Sequence, residues 1–146
     1  MEYKRLHQNL PRLYDAMRKL LGMQSRACGL SHGQPRILDY LSHHNGCVQR
    51  DFCREYSLEA STVSNLLVSM EKDGLLVRER KPSTSRVVNV YITEEGQHVQ
   101  QNLEPVYGEL EKLAFEGLSE EEQRLFLSLL ERITGNMLKR LEKEGA

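Results

Sequence analysis

The residues best suited to chemistry stand between Ser61 and Arg86. Ser61, Thr62, Asn65 and Ser69 fall at near-helical intervals of three and four, with Ser64 at the edge of the group. They lie opposite Val63, Leu66, Leu67 and Met70, so one helix would bury the apolar face and present the polar one. Short donors and acceptors of this kind suit hydrogen bonding to base edges in the major groove of DNA. A merely solvated helix face more often carries Glu and Lys, and here no carboxylate interrupts before Glu71. The segment from Arg78 to Arg86 follows directly, with four cations and one acid. Arg80, Lys81 and Arg86 suit phosphate neutralisation or entry into a minor groove, whereas Arg78 is expected to brace a strand. A generic exposed loop would have the same composition, but its place straight after such a helix favours the contact reading.

Other chemistries find less support. His43, His44 and Cys47 lie within five residues, but a structural zinc site wants a fourth ligand, and His98 has no partner one turn on. No metal and no cofactor is therefore expected. The three cysteines are odd in number and form no C-x-x-C pair, which argues against a disulfide framework. Cys53 reads as an inert core thiol, while Cys28 and Cys47 lie near helix ends and are expected to be the accessible ones. There is no G-x-S-x-G, no phosphate-binding glycine loop and no H-E-x-x-H, so the chain is not expected to be an enzyme.

The elements that would hold the polar face can be read from periodicity. Leu6, Leu10, Leu13, Met17, Leu20, Leu21 and Cys28 form one stripe on a helix over roughly residues 4–28, which Pro11 should delay to about Asn9 or kink. Ser31 with Gln34 has the shape of a capping box opening a second helix, with Ile37, Leu38 and Leu41 inward and Asn45-Gly46 at its end. Residues 48–72 read as two short helices broken at Ser57. After Gly74 the period drops to two: Leu75–Val77 and Val87–Ile92 read as strands, with a polar loop at 78–86. Thr93 caps another helix, on which Val99, Leu103, Val106, Leu110 and Leu113 make a short heptad-like seam that Pro105 should bend. Ser119 with Glu122 opens the last helix, striped by Phe126, Leu130, Ile133, Met137 and Leu141. The expected fold is mainly α with a small β-hairpin: a winged helix-turn-helix at 31–93, flanked by dimerisation helices at 1–30 and 94–146. The flanking stripes exceed what a compact winged helix can bury, and a symmetric dimer is the simplest cover for them.

Charge agrees with this order. Residues 1–93 hold 14 Lys and Arg against 9 Asp and Glu, or +5, and residues 94–146 hold 6 against 12, or −6. A basic first part can face a polyanion while the acidic end faces solvent or a partner. No run of 18 apolar residues could span a bilayer, and the first residues lack the apolar stretch of a secretory signal. A cytoplasmic protein without membrane contact is expected.

Several motifs together resemble the MarR (multiple antibiotic resistance regulator) family of winged-helix repressors over Leu30–Gly96. Leu30-Ser31 with Gln34 looks like a helix-opening "LT…Q", and Gln49, Phe52 and Cys53 fall where the family has "Q…LA". Ser61-Thr62-Val63-Ser64 looks like "STVT", and Met70-Glu71-Lys72-Asp73-Gly74-Leu75-Leu76 with Arg78 is close to "LEKKGLIxR". Arg86 with Ile92-Thr93-Glu94-Glu95-Gly96 looks like the wing arginine and the "LTEEG" that follows it. The resemblance implies a homodimer on a pseudo-palindromic double-stranded DNA operator, released by a small molecule or by thiol oxidation. It places an effector crevice between the first, second and fifth helices, where Tyr14, Arg18, Tyr40, His43 and Tyr107 would suit a small aromatic acid. Plain interfacial packing of those tyrosines is the competing reading. Two departures stand out: Thr84 where the family's wing has an acid, and Asn65 where the recognition helix often has arginine. The alternatives to a ligand-released repressor are a thiol-based redox regulator and a winged helix that docks proteins. The latter should expose aromatic or aliphatic anchors instead of Ser, Thr and Asn.

Overall fold

A computed structural model describes residues 5–80 and 86–145. The chain divides into two compact units, Met1–Leu110 and Glu111–Ala146.

The first unit opens with α1 (Leu6–Ala27), in which Gln8 Oε1 accepts the Arg5 N–H at 2.8 Å. The helix begins ahead of Asn9 and runs through Pro11, contrary to the expected late start. Only Ser25 is buried on it, and Leu6, Leu13, Met17 and Leu20 stay exposed.

Helix α2 (Gln34–His43) starts at Gln34 after Gly33, so the expected capping box is only half made. Gln34 Oε1 accepts the Ser31 N–H at 3.1 Å, but no side-chain hydroxyl caps the first turn. Ile37, Leu38 and Leu41 are fully buried, as their spacing requires. Helix α3 (Gln49–Tyr56) buries Phe52 and ends at Ser57 in the left-handed region (φ 49°), which turns the chain into α4 (Ala60–Lys72).

Helix α4 packs Val63, Leu67 and Met70 into the core. It ends in a tight exit: the Gly74 N–H bonds to the Glu71 carbonyl and the Leu75 N–H to the Met70 carbonyl, each at 3.0 Å. This reversal needs a residue at φ 77°, which glycine supplies without steric cost. Leu75 and Leu76 thereby enter the same core that Met70 occupies.

Strands β1 (Leu76–Arg80) and β2 (Val88–Ile92) pair antiparallel, Leu76 facing Ile92 and Arg80 facing Val88. The first strand is longer than its apolar residues indicated. Arg78, Glu79 and Arg80 join the ladder because backbone pairing with Val88–Val90 holds them extended. The outer edge of β2 is covered by the turn after α2. The Gly46 N–H bonds to the Val90 carbonyl and the Val90 N–H to the Cys47 carbonyl, both at 2.8 Å.

Helix α5 (Glu94–Ala114) is capped by Thr93, whose hydroxyl accepts the Gly96 N–H at 3.0 Å and donates to the Gly74 carbonyl at 2.6 Å. Val99 and Leu103 are buried, Val106 and Leu110 half-buried and Leu113 exposed, so the expected seam is covered only over its first half. The helix continues past Pro105.

In the second unit, α6 (Glu120–Gly145) carries the reciprocal capping box expected of Ser119 and Glu122. Phe115 and Phe126 meet edge to face at 6.2 Å, yet no residue of α6 is buried. Among the described residues no helix is long and apolar enough to cross a membrane.

Candidate nucleic-acid interface

The polar face of α4 stands where its spacing put it. Ser61, Thr62, Asn65 and Ser69 are exposed, and Ser64 is half-buried at the margin. Ser69 also joins two helices, because its hydroxyl accepts from Nε2 of the buried Gln34 at 3.4 Å and ties the start of α2 to α4. The first turn of α4 holds no acid, and the N-cap residue Glu59 makes no side-chain cap, so the N-terminal N–H groups have no side-chain partner there.

Glu71, the first carboxylate on the helix, is engaged by the hairpin. Its two oxygens accept the Arg78 backbone N–H at 2.8 Å and the guanidinium at 3.1 and 3.3 Å. That backbone bond, ahead of the guanidinium, holds the Glu71 carboxyl below its ordinary pKa. Arg78 thus braces the strand, and the hairpin is fixed to the last turn of α4. Arg80, the last residue of β1, and Arg86, two residues ahead of β2, are exposed. Lys81 and Thr84 lie outside the described residues. Two further exposed cations, Arg50 and Arg54, stand on α3 and were not picked out from the sequence. Their i,i+4 spacing on a short helix before α4 was the available signal.

An aromatic cluster gathers around Tyr40. Tyr40 stacks on His44 at 4.2 Å and meets Phe52 and Tyr56 edge to face at 5.2 and 6.2 Å. His44, one turn from Tyr40, makes that stack, while His43 is exposed and bonds to Ser42 Oγ and the Asp39 carbonyl. Tyr107 is half-buried against the core, and burial together with the Asp39 carboxylate pushes its phenol pKa up. Tyr56 donates to the Arg36 carbonyl at 2.9 Å, and burial pushes its phenol up to about 12. Tyr14 and Arg18 lie exposed on α1, with Arg18 3.8 Å from Asp15.

Burial, then the Asp51 carboxylate, pushes the Cys47 thiol up to about 11, so it holds little thiolate at neutral pH. All three cysteines are half-buried against the core, so Cys28 and Cys47 are not set apart from Cys53 as expected. Among the described residues no three His, Cys, Asp or Glu side chains gather to hold a metal.

A helix-turn-helix whose second helix shows a polar face, with a basic hairpin locked to its end, defines a winged helix-turn-helix protein. Residues 29–87 match the family model described as the MarR family. It is 27% identical over 120 residues to the uncharacterized HTH-type transcriptional regulator YdgJ of Bacillus subtilis, covering 82% of this chain and 73% of that protein. Its fold is similar to that of a putative MarR family transcriptional regulator from Listeria monocytogenes complexed with 26mer DNA. The TM-score is 0.89 at 17% identity, over 94% of this chain and 92% of that one. Bordetella bronchiseptica BpsR, whose DNA binding is regulated by 6-hydroxynicotinic acid, aligns with a TM-score of 0.81 at 20% identity, over 90% and 99% of the two chains. These relatives are regulators and not enzymes.

Proposed function

We propose that the chain is a homodimeric, sequence-specific regulator of transcription that binds double-stranded DNA. The face of α4 carries this reading: Ser61, Thr62 and Asn65 stand exposed opposite a fully buried Val63, Leu67 and Met70. Such a helix fills a major groove, its N-terminus accepts a phosphate, and Arg80, Lys81 and Arg86 approach the flanking backbone. The Listeria regulator solved with DNA supports it. Two copies would place their α4 helices on the halves of a pseudo-palindromic operator. Selection of genomic fragments by the purified protein, followed by fluorescence anisotropy, tests the reading. Nanomolar binding to a selected duplex and far weaker binding to a scrambled one is the expected result; equal affinity overturns it.

The regulator acts as a repressor that a small aromatic acid releases. The residues assigned to the ligand are Tyr14, Arg18, Tyr40, His43 and Tyr107. The half-buried phenol of Tyr107 and the acid that regulates BpsR support this. Release requires the ligand to prefer a dimer whose α4 helices are wrongly spaced. Titrating 6-hydroxynicotinate and salicylate into the protein–operator complex tests it, and unchanged anisotropy with both acids overturns it.

A further inference from the structure

The polar face of α4 has an apolar centre. At about 100° per residue, the buried Val63, Leu67 and Met70 define one side of the helix, and Ser61, Asn65, Val68 and Lys72 define the opposite side. Val68 is 49% exposed there, one turn beyond Asn65. It is not among the residues packed against the core, and valine is a weak helix former. Its two methyls sit on a side chain with one strongly preferred rotamer, so contact with a partner orders little. In the major groove the base edges display one apolar group, the 5-methyl of thymine. We propose that Val68 reads that methyl, at a base pair next to the one Asn65 addresses. Val68 is then a specificity-determining residue of the DNA site, and the inference rests on the DNA reading above.

The test uses the full-length protein and a selected operator duplex in which each thymine in turn is replaced by deoxyuridine. This exchange deletes the methyl and keeps every hydrogen-bonding group of the base. The expected result is a loss of about three- to tenfold at one thymine and its symmetry mate, the size expected for uncovering one methyl. Val68→Ala, a change at an exposed position, should bind the thymine operator with a similar loss and show no further loss with deoxyuridine. If no thymine matters, or if Val68→Ala keeps the penalty at the same position, the inference is overturned while selective binding leaves the DNA reading standing. Failure of the unaltered protein to select any duplex overturns both.

Discussion

Asn65 and Arg86 differ in what their side chains can distinguish. A carboxamide offers a donor and an acceptor in one plane and pairs with adenine's edge, whereas a guanidinium at the hairpin meets phosphates that are alike at every step. Asn65→Ala should therefore relax specificity at one base position by about 1–3 kcal/mol, and Arg86→Ala should weaken selected and random duplexes by similar factors. Anisotropy against single-base operator variants decides this; equal losses at every variant would remove Asn65 from the reading set. Glu71 acts at the same scale through Arg78. Its carboxyl pKa is lowered in the fold, mainly by the Arg78 N–H, so the tie adds stability above the ordinary glutamate range and loses it as pH falls below. Glu71→Gln should cost about 1 kcal/mol at pH 7, allowing for solvent screening of a partly exposed pair. The cost should shrink as pH falls below the ordinary glutamate range, as urea midpoints at neutral and acid pH would show. The polar residues of α4 were legible because a helical period separates them from an apolar stripe. Val68 was not, since valine beside Leu66 and Leu67 reads as core; its offset of two from Met70 was the overlooked signal. His44 was hidden for a similar reason, because two adjacent histidines differ only in which one falls a turn from Tyr40.

Pattern fixed the kind of each element better than its ends. Strand β1 read as three apolar residues, yet it runs to Arg80 because pairing with β2 supplies what Arg78, Glu79 and Arg80 lack in hydrophobicity. The edge formed by Gly46–Val48 is too short to carry a period at all. Helix α2 starts late because Gln34, and not the Ser31 hydroxyl, makes the one side-chain bond at its entry. One motif gains a physical meaning: the glycine of Thr93-Glu94-Glu95-Gly96 lies in the first turn of α5 against the start of the hairpin. A Cβ at Gly96 would run into the Leu75 carbonyl oxygen and stand 2.8 Å from Ile92 Cγ1. The backbone there cannot yield, since the Leu75 carbonyl accepts the Thr93 N–H and the Leu75 N–H bonds to Met70. Gly96→Ala should thus destabilise the fold by about 1–3 kcal/mol through overpacking, although alanine is the better helix former. A urea midpoint equal to that of the unaltered protein would show that α5 can move aside.

The whole chain presents two unlike ends, a +5 first part bearing the candidate interface and a −6 second part, and only the first can gain from a polyanion. If the dimer neutralises roughly six to ten phosphates, affinity should fall about a thousandfold between about 50 and 200 mM salt; a flat log–log plot would contradict the interface. The surplus apolar surface was legible and its cover was not, because periodicity shows which face wants cover and never what covers it. Helix α6 states the need most strongly. It has 26 residues, none buried, with Leu125, Met137 and Leu141 each more than half exposed. Packing of an apolar face, more than propensity, is what stabilises helices in proteins, and a face of this size in water invites association. A second copy of the chain would meet both demands and would set two α4 helices at a fixed spacing. Deleting residues 120–146 should therefore give monomers or aggregates, where the full chain should sediment as a dimer. Operator affinity should fall to that of one half-site, because the two halves, about one helical turn apart, are no longer joined. Sedimentation and anisotropy on the same preparations separate the outcomes: a monodisperse truncated protein with unchanged operator affinity would show that α6 is not the interface.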